Sequence, residues 1–257
     1  MGPAGGHVTD YDRVADRFDT RYAVYAYGGV RDTLLNFLGP TPIAALEVGC
    51  GTGHWLDIVG ARASILAGVE PSSAMVERAR LAAPGARLVR ARAEDLPWRD
   101  GTFDRIFCVN ALHHFSDRDR FFAEARRILR PGGGLLTIGK DPHGERDEWW
   151  VYEYFEETRA LDRMRFAPVR TLRGEMTRAG FAWSESLEAD HIDVVHRASE
   201  ALAGGVVDAT FTSQLSVLSD EEFNRGVARL READAAAGGE LNLIADFRLY
   251  ATIGWVN

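Results

Sequence analysis

The sequence predicts an α/β chain built on a doubly wound, mostly parallel sheet, and three observations carry that reading. Short apolar runs of strand length alternate with segments of helical periodicity. The first run, closing on Leu46-Glu47-Val48, is followed at once by Gly49, Gly51 and Gly53, spaced every second residue. The second, Ile65 to Val69, ends in Glu70, about twenty residues after the first glycine, the separation at which one βαβ unit delivers a carboxylate to ribose hydroxyls.

Each element follows from a local signal. The alternating glycines let the main chain turn sharply and approach a ligand with no Cβ in the way, and the following helix points its N-terminal amides into the same crevice. They differ from the dinucleotide fingerprint, whose third glycine comes three residues after the second. Pro71-Ser72-Ser73 opens a helix through Met75 and Arg80, with Ser72 or Ser73 as its N-cap. Ala86 to Ala91 predicts a third strand, and Gly101 turns the chain into a fourth that ends at Asn110. Arg130-Pro131-Gly132-Gly133 is a turn feeding a fifth strand. Thr171 to Ala179 predicts a helix ended by Gly180, Phe181 to Leu187 a sixth strand and Leu243 to Gly254 the last, seven in all.

Taken in order, Glu47 with Gly49-Cys50-Gly51-Thr52-Gly53, then Glu70, Ala93-Glu94-Asp95-Leu96-Pro97-Trp98, Asn110-Ala111-Leu112-His113-His114 and Arg130-Pro131-Gly132-Gly133 resemble the motifs of class I S-adenosylmethionine-dependent methyltransferases. The resemblance covers residues 44–140 and is closest to the branch that includes ubiquinone and menaquinone C-methyltransferases and natural-product methyltransferases. It implies a Rossmann-like sheet of seven strands with the last antiparallel, helical cap insertions, and S-adenosyl-L-methionine as cofactor, leaving as S-adenosyl-L-homocysteine. The cofactor contacts it implies are Tyr22, Arg31, Glu47, Gly49, Cys50, Gly51, Gly53, Trp55, Glu70, Pro71, Met75, Ala93, Glu94, Asn110 and Ala111. Where the family commonly reads the adenine amino group with Asp or Asn, this chain has Arg92, so the polar contact moves to Glu94 and the ring contact stays with the Ala93 backbone.

Outside the shared motifs, residues 10–38 read as an N-terminal helical lid, with Tyr11, Val14, Ala15, Phe18, Tyr22 and Tyr25 on one face. Residues 141–170 and 190–240 read as cap insertions in a single domain spanning 8–257. Glu148 through Phe166 looks helical and crowded with aromatics. Trp149, Trp150 and Tyr154 are candidates to wall an apolar substrate pocket, against the alternative that such a stripe is core. Helical patterns recur near Val195 to Leu202 and Asp220 to Ala236.

A chain of 257 residues with 46% apolar and 26% charged content buries one substantial core. Its net charge of −8 and the lack of a basic stripe argue against nucleic acid as partner, because phosphate neutralisation demands clustered Lys and Arg. A small-molecule methyl acceptor is the expected partner, and a homodimer is one assembly left open. The two cysteines, Cys50 and Cys108, fall at strand ends in no paired or metal-ligand spacing, and His191 and His196 match no metal pattern, so no metal is expected. No apolar run reaches the roughly 20 residues of a membrane span, and Met1 to His7 lacks a signal pattern. The expected location is cytoplasmic, with Gly2 to Gly6 a disordered or appended end.

Methyl transfer from a sulfonium needs the nucleophile and methyl carbon held close, aligned and dry, so a dedicated catalytic residue is optional. Where the acceptor carries a proton, the general-base candidates are His114, which is preferred, His113, Asp141 and His143. Two rival readings remain at this level: a methyltransferase-like domain that binds the cofactor but catalyses another reaction or serves as an interaction module, and a nicotinamide-dependent dehydrogenase, whose glycine spacing is missing.

Overall fold

A computed structural model describes residues 19–144 and 146–257. Tyr11, Val14, Ala15 and Phe18 of the expected lid, and the Gly2 to Gly6 end, lie outside the described residues. The chain opens with helices α1 (Thr20–Val24) and α2 (Gly28–Leu38), then β1 (Ile43–Val48), α3 (His54–Val59), β2 (Ala63–Val69), α4 (Ser73–Ala82) and β3 (Arg87–Val89). It continues with β4 (Phe103–Val109), α5 (Arg118–Ile128), β5 (Leu129–Lys140), β6 (Glu148–Trp149), α6 (Trp150–Tyr154), α7 (Glu157–Arg165) and α8 (Val169–Arg178). The remainder is β7 (Trp183–Arg197), α9 (Ala198–Ala203), α10 (Ser213–Ser216), α11 (Asp220–Ala236) and β8 (Asn242–Trp255).

These elements form two compact units. The larger comprises residues 27–143, 165–191 and 248–257, and the smaller the described residues up to Ala26 together with those in 144–164 and 192–247. In the larger unit the strand order is β3-β2-β1-β4-β5-β8. All neighbours pair in parallel except β8, which runs antiparallel to β5. Parallel strands are covered on both faces, which is why Ala44 to Val48 of β1 and Ile106 to Val109 of β4 are buried without alternation. One face carries the main core, where Leu46, Val48, Ile106 and Leu135 meet Phe121, Phe122 and Ile128 of α5 and Leu172 and Met176 of α8. Across the β4–β5 pair the register jumps from Phe103 opposite Leu129 to Arg105 opposite Gly134, so Arg130-Pro131-Gly132-Gly133 is accommodated as an insertion, with Gly132 at φ +73°.

The smaller unit is aromatic. Tyr25, Phe211 and Phe247 meet at centroid distances of 5.6 and 5.8 Å, and Trp149 packs on both Phe247 and Tyr152. Phe155 lies between Trp150 and Phe223. Within this unit β6 adds two residues antiparallel to β8, making eight strands among the described residues where seven were expected.

Four sequence expectations change. The helix expected over residues 10–38 is interrupted within its described part at Tyr25–Tyr27, where Tyr27 takes a left-handed φ of +45° ahead of α2. The helix expected from Glu148 to Phe166 begins as β6 and breaks at Phe155, whose carbonyl accepts the Thr158 hydroxyl and amide in place of a helical partner. Strand six runs ten residues past Leu187 to Arg197, because Ile192, Val194 and Val195 favour extended backbone, and only Ala198 to Ala203 of the next pattern is helical. The third strand shrinks to Arg87–Val89.

Candidate functional site

The site lies in the larger unit, at the C-terminal ends of β1, β2 and β4, where open α/β sheets hold their ligands. Gly49, Gly51 and Gly53 adopt φ of +75°, +51° and +84°, a region that L side chains rarely enter. The amides of Gly49 and Cys50 both donate to the Val69 carbonyl at 2.8 and 3.0 Å, which pins the loop to the end of β2. A Cβ on Gly53 would strike the Ala79 backbone of α4, so this glycine also permits close helix packing. A Cβ on Gly49 would meet Ala111 beyond the end of β4. The bare loop therefore faces the β4 terminus with no side chain of its own between them.

Two carboxylates stand at this loop. Glu70 is buried, and its two oxygens accept the amides of Gly51 at 3.1 Å and Ser72 at 3.0 Å, so it braces the glycine loop against the start of α4. Ser72 caps α4 by accepting the Met75 amide. Glu47, 1% exposed on β1, receives a backbone bond from Leu56 while its Oε2 has no hydrogen-bond partner. Burial, reinforced by the neighbouring Glu70, pushes the Glu47 carboxyl well above the usual carboxylate range. The same burial and the two carboxylates push the Cys50 thiol up. Cys50 and Cys108 are both free and buried. An orphaned buried carboxylate oxygen beside a loop stripped of side chains fits a ligand that combines a cationic group with a polar, hydroxyl-bearing body, as S-adenosylmethionine does.

The remaining candidate contacts fall into distinct settings. Trp55, 3% exposed, sets its ring edge to face with Tyr27 and His54. Met75 is wholly buried, and Pro71 is exposed with its carbonyl taking Arg90 Nε. Ala93 is buried at the loop after β3. Glu94, assigned from sequence to adenine, has Oε1 occupied by the Ser116 amide and hydroxyl, both at 2.7 Å, and the Asp117 amide, while Oε2 faces Arg92 at 3.5 Å. These bonds outweigh its partial burial and hold its carboxyl below the usual range. Asn110 takes φ +51° while its amide bonds the Ile138 carbonyl, a left-handed non-glycine residue directly after β4. Arg31 is exposed and paired with its neighbour Asp32.

Of the four general-base candidates, three are engaged in a clasp. His113 stacks on Phe166 at 3.9 Å, and His143 Nε2 bonds the Phe166 carbonyl at 2.8 Å. Asp141 accepts the amides of His143 and Val169, the latter opening α8. The cavity bordered by His113, Thr137, Gly139, Phe166 and Tyr250 measures about 30 Å³, room for one or two waters rather than an acceptor. His114 follows in the short 3-10 turn Leu112–His114, its ring 3.9 Å from that of His113.

Tyr22, Trp149, Trp150 and Tyr154 belong to the smaller unit. Tyr22 is half-buried and accepts Arg21 through its hydroxyl, whereas Trp149, Trp150 and Tyr154 are 4%, 1% and 9% exposed and packed as core. Tyr152, on the same aromatic stripe as Trp149 but not among the site candidates, donates its hydroxyl to the wholly buried Asp162 at 2.7 Å. Sequence reasoning passed over the Ser72 amide, which only the capping serine signals. Among the described residues no group of three or more His, Cys, Asp or Glu stands ready to hold a metal, and no helix is long and apolar enough to cross a membrane.

Residues 46–137 match the family model of a methyltransferase domain, a stretch wholly inside the larger unit. The chain is 33% identical over 156 residues to a malonyl-[acyl-carrier protein] O-methyltransferase of Methylococcus capsulatus, covering 57% of this chain and 54% of the relative. It is 27% identical over 157 residues to a demethylmenaquinone methyltransferase of Thermotoga maritima, covering 58% and 68%. The match to a phthiotriol/phenolphthiotriol dimycocerosates methyltransferase of Mycobacterium ulcerans is 46% over 66 residues, 26% of this chain and 24% of that one, so the chain spans from about a quarter to two thirds of these relatives' lengths. A solved structure of a putative methyltransferase from an antibiotic biosynthesis pathway in Anabaena variabilis shares the fold with a TM-score of 0.70 at 21% identity, over 87% of this chain and 95% of that one. Residues 46–137 thus match a methyltransferase domain, and the fold around them is shared with a solved putative methyltransferase.

Proposed function

We propose that the chain transfers a methyl group from S-adenosylmethionine to a small metabolite, apolar or aromatic in its bulk. The observation that carries this reading is the loop between β1 and α3, where three glycines at positive φ leave the main chain bare and the Glu70 carboxylate braces it at Gly51 and Ser72. Gly49, Cys50, Gly51, Gly53 and Glu47 would hold the cofactor, with Glu70 toward the sugar, the Ala93 backbone at the base, and Asn110 and Ala111 as further contacts. When bound, it supplies an activated methyl group; the protein supplies orientation and dryness, worth roughly 7 to 11 kcal/mol in well-aligned reactions.

We assign proton acceptance, where the acceptor is a hydroxyl or acidic carbon, to His114, which sits in the short turn just past the C-terminal end of β4. We assign acceptor choice to the smaller unit, including Trp149, Trp150 and Tyr154, since the shared domain lies outside it. The relatives named for malonyl-[acyl-carrier protein] and demethylmenaquinone support a small or carrier-borne acceptor over nucleic acid, as does the net charge of −8. The two free buried thiols support a reducing, cytoplasmic setting.

Calorimetry with S-adenosylmethionine and S-adenosylhomocysteine tests the cofactor assignment. Micromolar binding of both is expected, and binding of neither removes the proposal. Methyl transfer from labelled cofactor across quinols, phenols and acyl carboxylates then identifies the acceptor. His114→Gln is expected to lower kcat by about 10²-fold or more with little change in cofactor affinity. An unchanged pH–rate profile in that variant would remove His114 from the proton-transfer role.

A further inference from the structure

Glu47 is a chemically active group beside the glycine loop that packing alone does not explain. It lies on β1 between Leu46 and Val48, whose side chains enter the main core, so strand alternation turns it to the opposite face. There it is 1% exposed, receives the Leu56 amide, and presents Oε2 with no partner. The titratable groups acting around it are Glu70 at the end of β2, Cys50 in the glycine loop and Cys108 on β4. None of these supplies a positive charge. A carboxylate ionised in that setting would be a buried anion with one donor, next to a second carboxylate whose own oxygens are engaged by Gly51 and Ser72.

We propose that cofactor capture displaces one proton from Glu47: the O–H bond breaks, the proton leaves to solvent, and a cationic group of the ligand takes its place beside Oε2. The inference rests on the cofactor reading above and adds to it a linkage between binding and pH. S-adenosylmethionine carries two cationic groups, the sulfonium and the amino-acid ammonium, and either satisfies the chemistry. In the free protein, burial and Glu70 hold the Glu47 carboxyl well above the usual carboxylate range; a bound cation pulls it back down. Affinity for a cationic ligand therefore rises with pH between the bound and free values and flattens above the free one. The same raised value makes Glu47 destabilising to the free protein at pH above the unfolded carboxylate range, since the unfolded chain gives up its proton first.

Calorimetry at pH 6.5 in two buffers of different ionisation enthalpy counts the protons, at a pH below the ordinary α-amino range of about 7.7 to 8.0, where the ligand's ammonium is charged. S-adenosylmethionine is expected to release protons, up to one per molecule bound. Equal release with S-adenosylhomocysteine assigns the ammonium; release with S-adenosylmethionine alone assigns the sulfonium. 5′-Methylthioadenosine, which has neither cation, is expected to release none. Glu47→Gln should bind without proton release, and its free form should melt no lower than the wild type at pH 8. Binding with no proton release by the wild type, or undiminished release by Glu47→Gln, overturns the coupling and leaves the cofactor assignment standing. No binding of any of the three ligands overturns both.

Discussion

The larger unit buries a mixed aliphatic and aromatic core on a mostly parallel sheet, the smaller packs rings against one another around a few buried polar bonds. In the first, strand order positions the chemistry: β1, β2 and β4 end side by side, and their termini supply the glycine loop, Glu70 and Asn110. In the second, the polar groups secure packing. Tyr152 donates to Asp162, Thr158 bonds the Val151 and Phe155 carbonyls, and Arg229 donates to the Tyr154 carbonyl at 2.9 Å. The difference teaches where a change acts. Substitutions in the loop of the larger unit should remove cofactor binding with modest cost in stability, and substitutions among the rings of the smaller should cost stability with little change in cofactor affinity.

The largest expected effect is Gly51→Val. Its φ of +51° strains any β-branched residue, and the new side chain enters the crevice while Glu70 loses a well-placed amide. Cofactor binding should fall below detection by calorimetry, while the near-ultraviolet circular dichroism of the tryptophans stays native. A folded variant with wild-type affinity would break the site assignment.

Phe155→Ala comes next. The ring is wholly buried between Trp150 and Phe223, and a Cβ on Gly226 would run into it, so α11 depends on Phe155 to fill the space that glycine opens. Truncation should cost about 3 to 5 kcal/mol in urea unfolding. The cofactor dissociation constant of the folded fraction should move less than threefold. Equal losses in stability and affinity would mean that the two units do not divide the labour as argued.

This division also decides what was legible in the sequence. The cradle was readable because its requirements are local: positive φ at Gly49, Gly51 and Gly53 demands glycine, and the βαβ spacing fixes the acid at Glu70. Cap boundaries were less readable. Trp149, Trp150 and Tyr154 have the same helical spacing whether they line a cleft or fill a core, and the break at Phe155 depends on Thr158, whose side chain carries no boundary signal of its own. Glu94 shows a third limit. Its position and polarity suit a base contact, yet its carboxylate is committed to Ser116 and Asp117, partners more than twenty residues away that no local pattern announces.

The smallest effect sharpens the comparison furthest. Ser219 and Glu222 form a reciprocal capping box at the start of α11: Ser219 accepts the Glu222 amide, and Glu222 accepts the Ser219 amide at 2.8 Å. Ser219 is solvent-exposed, so Ser219→Ala removes a cap and leaves the ring cluster untouched. The expected cost is about 1 kcal/mol, within the roughly 0.5 to 2 range for such caps. Hydrogen exchange should locate that loss in the first turns of α11, with the amides of β1 and β4 protected as before. If protection in β1 and β4 fell equally, opening of α11 and of the sheet would be one event, and the smaller unit would have no stability of its own for acceptor-selecting substitutions to draw upon.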